Sequence, residues 1–324
     1  MNFTRHKSAI TLIRLVWLCL LFASAVPASE VLRYPKSLPG FEDRDAYALE
    51  LLQLALHKAG SNLQLQASAN YMEKSRALTE LANNRSVDVV WSMTSTAREA
   101  DLLPIRISID KGLLGWRIAL LSADKAQLLQ QVTSLQDLQQ LRAGQGHDWP
   151  DRYILEASHL PVVTSSSYAS LFLMLKAGRF DYFPRSLLEI EEELRRLKST
   201  GLVADPYLLL HYPSNTYFFV APGNRALART LTIGLQRAIA DGSFDRLFYS
   251  NFGDVLRRAR IGQRRVIELE NPLLPATRPL QPNELKLNRE HLPDPGNPRR
   301  PAPQAGCNQR PADNNVFSTG PATC

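Results

Sequence analysis

Short apolar runs that recur between amphipathic helical stretches constrain this 324-residue chain more than any single motif. Val31-Leu32-Arg33-Tyr34 reads as a first strand, stopped by Pro35. Asp45 caps a helix predicted over 46–59, with Leu49, Leu52, Leu56 and Ala59 on one face and Gly60 as its stop. Leu63 and Leu65 alternate with polar residues as a second strand, and residues 73–82 form another helix. Val87, Val89 and Val90 then make a buried strand. The order β-α-β-α-β predicts a parallel sheet with helices on its faces, because parallel strands need a crossover and a helix is the usual one.

After residue 121 the rhythm restarts. A short helix over 135–141 leads into a strand at 142–146, and a helix follows to about Ser158, with Pro150 in its first turn and Asp148 as its cap. Residues 162–164 are a strand, 168–177 a helix closed by Gly178, and 180–183 a strand stopped at Pro184. Residues 187–200 form a charged helix whose Glu191–Arg195 and Glu192–Arg196 spacings suit a solvated face. Strands at 207–211 and 217–220 precede a helix carrying Leu227, Leu231, Leu235 and Ile239 to Gly242, then a short amphipathic piece at 244–248. Pro recurs through 272–311, so 270–324 is expected to be a disordered tail.

The chain begins with Arg5, Lys7 and Arg14, an apolar run from Leu15 to Ala25, and the small residues Val26-Pro27-Ala28. This predicts a cleaved signal peptide over 1–28 and a periplasmic mature protein. Cys19 follows Trp17 and Leu18 rather than small residues, so no lipid anchor is expected. The formal charge is +7, but residues 1–29 hold three basic and no acidic side chains, and 270–324 hold six basic and five acidic. The core is left at a mild +3, unlike a nucleic-acid binder. Cys307 and Cys324 lie in the tail and can bridge or stay free, so the core has neither a disulfide framework nor a thiol nucleophile. Gly-x-Ser-x-Gly and His-Glu-x-x-His are absent, and His57, His147, His159 and His211 lack ligand spacing. No metal, cofactor or enzymatic activity is expected; His147 beside Asp148 is the one candidate general base.

The stretch 87–121 carries the candidate site. Its strand breaks into Ser92, Thr94, Ser95 and Thr96 with Arg98 just after, crosses an extended segment (Ile105, Ile107, Ile109) to Gly112 and Gly115, and re-enters an apolar run. Hydroxyls and a guanidinium at the end of a strand suit a small polar ligand. Gln145-Gly146-His147-Asp148-Trp149 and Ser165-Ser166-Ser167 both lie where a strand hands over to a helix, a place that favours anionic groups.

Three segments, in order, resemble extracytoplasmic solute-binding proteins of family 3, which include amino-acid receptors for ABC importers. They are Met93-Thr94-Ser95-Thr96-Ala97-Arg98, Ala177-Gly178-Arg179-Phe180-Asp181, and Tyr217-Phe218-Phe219-Val220 with 224–248, which includes Ile239-Ala240-Asp241-Gly242-Ser243-Phe244. The resemblance implies an α/β, two-lobed type-2 periplasmic-binding fold, each lobe a small mostly parallel sheet flanked by helices. The first lobe would comprise 30–115 and 205–258 and the second about 118–200, joined by two crossings, with hinge closure over the ligand. It implies Tyr34 and Tyr71 as cleft aromatics, and Thr94, Thr96 and Arg98 as carboxylate holders beside Ser92. Arg98 comes one residue early relative to Thr-x-Thr-x-x-Arg. Gln145, His147, Trp149, Ser165, Ser167 and Arg185 complete the expected site. Past Asp181, where such receptors carry an acid for the ligand's ammonium, this chain has Phe183-Pro184-Arg185-Ser186. Either the ligand is anionic or polar rather than a zwitterionic amino acid, or another acid such as Asp148 supplies the charge. The expected partners are that ligand and an ABC permease, alternatively a membrane sensor, with the protein a monomer. A lyase- or dehydratase-like enzyme on the same fold is the remaining alternative.

Overall fold

The computed structural model describes residues 30–38, 42–196 and 200–274. The expected signal peptide, all three cysteines and the rest of the expected tail, residues 275–324, lie outside the described residues.

The chain forms two α/β lobes. In the first, β1 (Val31–Lys36) runs parallel to β2 (Gln64–Tyr71), with α1 (Asp43–Ala59) as the crossover. Leu51, Leu52, Ala55 and Leu56 of α1 are fully buried, as the four-residue spacing of its apolar face requires. The helix ends in a Schellman pair, Gly60 N–H to the His57 carbonyl and Ser61 N–H to the Leu56 carbonyl, both 3.0 Å, with Gly60 at φ 74°. α2 (Lys74–Ala82) leads to β3 (Val90–Met93); α3 (Thr96–Asp101) and β4 (Leu103–Ile105) follow. β11 (Thr216–Val220) returns late in the chain and lies antiparallel between β3 and β4. Arg33 ties the two sheets together: its carbonyl accepts from Asp88 N–H at 2.8 Å, and its guanidinium grips the Asp88 carboxylate at 2.8 and 2.9 Å.

α8 (Arg225–Ala240) packs on α1, and α9 (Ser243–Ala259) follows. Gly234 sets the α1–α8 spacing. A Cβ there would lie 2.9 Å from the Ala55 Cα and closer still to its carbonyl, all rigid backbone. Gly234→Ala is therefore expected to force the helices apart. The cost of overpacking, about 1–3 kcal/mol, outweighs up to about 1 kcal/mol of helix propensity gained. Urea denaturation should show a net loss near 1–2 kcal/mol; a gain would mean that the helices separate freely.

In the second lobe the central strand is β5 (Trp116–Ser122), antiparallel to β8 (Phe183–Ser186) and β9 (Leu202–Ala204). β6 (Ala143–Gly146) and β7 (Val162–Ser165) run parallel, and α4 (Leu135–Leu138), α5 (Pro150–Ala157), α6 (Tyr168–Lys176) and α7 (Ile190–Arg196) flank them. β10 (Leu208–His211) pairs antiparallel with β5, and β12 (Arg265–Glu268) adds a parallel edge to β10. The ladders are thus mixed: β1–β2, β6–β7 and β10–β12 are parallel, and the pairs that β5 and β11 make are antiparallel.

Several elements differ from the sequence reading. The strand expected to stop at Pro184 runs through it, since β8 lies at the edge of its sheet path, where a missing N–H costs no ladder bond. Arg185 is thereby placed opposite Ile118, inside the sheet. The piece expected over 244–248 is a 17-residue helix whose buried Phe244, Phe248, Leu256 and Ala259 continue the period beyond the polar interruption at 249–251. β9 and β12 are too short to show alternation. Residues 270–274, expected to belong to a disordered tail, are instead seated on the fold, with Asn271 hydrogen-bonded to Pro213 and Leu273 to Thr96.

The lobes are joined by residues 260–264, between α9 and β12, and by residues 106–115 and 212–215. Asp110 is the hub there: one carboxylate oxygen accepts from Ser108 Oγ (3.0 Å) and Gly112 N–H (3.1 Å), the other from Leu114 N–H (3.3 Å) and Thr216 Oγ (2.7 Å). Next to it Lys111, at φ 52°, reaches Asp245 at 2.7 Å and lies over the rings of Phe248 and Tyr249.

Candidate functional site

A cavity of about 430 Å³ opens between the lobes. Its first-lobe wall starts with β3, whose side chains alternate: Trp91 and Met93 face the cavity, while Ser92 turns to the opposite face and is buried. Trp91 is held by its indole N–H to Asp45 (3.1 Å) and by Tyr34 packed at 6.3 Å, and Lys74 Nζ lies 5.0 Å above its ring. Arg98 follows on α3. Ser95 caps that helix by accepting from the Arg98 N–H, and Arg98 Nη1 donates to the Met93 carbonyl at 2.6 Å, which fixes the guanidinium at the strand end with the cavity beside it. Burial lowers the Arg98 pKa, and Asp151 and Asp148 across the cleft pull it back up in part.

The second-lobe wall is built on a buried ion network. Arg185 is 1% exposed. Its guanidinium meets Glu193 at 2.6 and 2.9 Å and Glu189 at 2.9 Å, and it lies 5.0 Å from the Trp149 ring and 4.7 Å from Phe183. Tyr168 donates to the same Glu193 at 2.5 Å. Beside it Arg117 pairs with Asp151 (2.5 Å) and Glu189 (3.6 Å), and the Tyr212 hydroxyl donates to Asp151. Burial alone would lower both arginine pKa values, but the carboxylates outweigh it and hold both above the ordinary guanidinium value. Burial, then Asp151, pushes the Tyr212 phenol up. Trp149 precedes α5 and lies against Gly146, where any Cβ would enter the indole.

Of the residues singled out in the sequence, Tyr71, Arg98, His147, Trp149, Ser165 and Arg185 line this one cavity. The others stand elsewhere, each for a physical reason. Tyr34 backs Trp91 rather than facing the cavity. Thr94 is 2% exposed and donates to Glu99 at 2.7 Å, a carboxylate that also holds Arg106. Thr96 gives both its N–H (2.9 Å) and its hydroxyl (3.3 Å) to the Leu273 carbonyl. Gln145 points away from Gly146 by strand alternation and is buried, with neither amide atom partnered among the described residues. Ser167 caps α6 by accepting from Ser170 N–H.

The expectation for Arg185 needs a deeper correction. Its charge does not face a ligand unopposed, since two glutamates already neutralise it. Five cationic and five acidic side chains line the cavity, and Glu193 stands behind them. Nor is the charged run at 187–200 all solvated: Glu193 is 3% exposed. Trp91, Arg117, Asp151, Glu189 and Glu193 were missed as site residues. Arg117, a lone charge in the apolar run Trp116–Leu121, was the visible signal, because a buried charge demands a partner. Among the described residues no cluster of three metal-ligating side chains occurs, and no helix is long and apolar enough to cross a membrane.

No family model matches the sequence, and no curated protein matches it. Solved structures do resemble the fold. An ancestral arginine-binding protein bound to arginine superimposes with a TM-score of 0.51 at 16% identity, over 69% of this chain and 97% of that one. A histidine kinase sensor domain with similarity to periplasmic binding proteins gives 0.50 at 17%, over 69% and 96%. The architecture is the two-lobed fold of the periplasmic binding proteins.

Proposed function

We propose that the chain is an exported solute-binding protein which captures a small, dipolar, amino-acid-like ligand between its lobes and presents it to an ABC importer. The observation that carries this is the facing of opposite charges across one cavity: the Arg98 guanidinium on the first lobe, Asp148 and Asp151 on the second. Arg98 offers a planar fork for a carboxylate. Asp148, with its side chain 41% exposed, suits a cationic end, whereas Asp151 is already held by Arg117 at 2.5 Å. Cationic and acidic groups are equal in number along the walls, so a purely anionic ligand meets no surplus positive charge. The volume lies within the range of small-molecule pockets. Binding that bridges the two walls favours the closed state, because only there are both ends of the ligand satisfied. His147 lines the cavity with an exposed ring, 3.7 Å from Asp148. A membrane sensor could use the same closure; co-purification of a permease rather than a sensor kinase separates the two roles.

The test is a thermal-shift screen of mature protein, stripped of ligand by unfolding and refolding, against L-amino acids, dicarboxylates and polyamines. A dipolar ligand at about 100 times its Kd should add about 2.7 kcal/mol, or roughly 5–10 °C. Arg98→Gln should weaken that ligand about ten- to hundredfold. Stabilisation by dicarboxylates alone, or full affinity in Arg98→Gln, would refute the reading.

A further inference from the structure

Beside the three crossings that join the lobes, the chain makes a further contact between them after β12. Strand β12 belongs to the second lobe's sheet through β10, and Arg265 Nη2 donates to the Leu129 carbonyl at 3.0 Å on the same side. The next residues climb along the return crossing. Leu269 N–H donates to the His211 carbonyl at 2.7 Å, and Asn271 Nδ2 to the Pro213 carbonyl at 2.8 Å. Asn271 Oδ1 in turn accepts from Leu273 N–H at 3.0 Å, which folds the segment into a turn. The Leu273 carbonyl then takes Thr96 N–H and Thr96 Oγ on the first lobe. Leu269 is buried and Leu273 packs in the same cluster as Met93 and Tyr212, so the segment is seated by apolar contact as well.

We infer that residues 269–274 are an interlobe strap, which limits how far the cleft opens and fixes the short helix that carries Arg98. The donors it takes are the ones that the sequence reading gave to a ligand carboxylate. A hinge made of short crossings turns by small φ/ψ changes in a few residues. A further connection anchored at both ends must stretch, shift or let go when the lobes part. Its first-lobe anchor, Thr96, lies two residues before Arg98 on a helix of six residues. Opening that strains the strap therefore pulls on the arm that faces the cleft. This inference does not depend on what the cleft binds.

Thr96→Pro is a clean way to cut it. Thr96 is the first residue of α3, where proline is well tolerated because the helix does not use that N–H. Ser95 before it is already extended at φ −155° and ψ 160°, as a residue preceding proline must be. The variant removes both donors to Leu273 and leaves the helix intact. In ligand-free full-length mature protein, hydrogen–deuterium exchange of 266–274 should accelerate about five- to tenfold. Small-angle scattering should show a larger radius of gyration, while the melting temperature changes little. Asn271→Ala, which frees the other end of the turn, should do the same in a lesser degree. Unchanged exchange in both variants would overturn the strap. Faster exchange with unchanged scattering would show a packed terminus that does not restrain the lobes, and would overturn it equally.

Discussion

Replacing Arg185 with methionine should destabilise the protein by about 3–5 kcal/mol, the usual penalty for removing one member of a buried ion cluster. The side chain is fully buried, and its loss removes the guanidinium that Glu193 meets at 2.6 Å and Glu189 at 2.9 Å. Methionine fills the volume, so the deficit reports charge rather than a cavity. Urea titration at neutral pH measures it. Adding Glu193→Gln to Arg185→Met should recover part of the loss, because one stranded carboxylate disappears. Trp149 gives a second readout, since its ring loses the cation 5.0 Å away and its emission should shift. A deficit below about 1 kcal/mol would show that water enters the site and that the network is not dry.

Asp110→Asn should cost about 2–4 kcal/mol, although the two side chains are nearly the same shape. Both carboxylate oxygens accept two donors each. An amide must turn its NH2 toward one of those pairs, leaving donor against donor in a fully buried place. Each stranded donor costs about 1–3 kcal/mol. Because Gly112 and Leu114 belong to one crossing and Thr216 follows directly on another, the damage should fall on the hinge. Exchange of amides in 106–116 should rise before that of α1. A variant as stable as the parent would mean that Asp110 is protonated in the folded protein and already donates.

The large features of the fold were legible in the sequence because each rests on local rules. α1, α8 and the βαβ unit they serve are written in four-residue apolar spacing, Gly stops and β-branched runs. What stayed hidden depends on partners remote in the chain. β9 and β12 are three and four residues long and exist only because β5 and β10 offer open edges. In the site, Arg98 and Trp149 were visible from type and position. Thr94 and Thr96 misled because the carboxylate and carbonyl that take their donors come from Glu99 and from Leu273, the latter 177 positions away. Arg185 was noticed as a departure, but its meaning required knowing that Glu193 turns inward, and helical charge spacing alone does not reveal which of three consecutive glutamates does so.

The matched charges along the cleft bear on how the protein meets its surroundings. A mouth without a dominant sign exerts little pull on ions beyond contact range, so encounter with a solute depends on diffusion and hardly on ionic strength. Capture by such a cleft is expected to keep nearly the same rate in dilute and in concentrated media, which stopped-flow binding at two salt concentrations would measure.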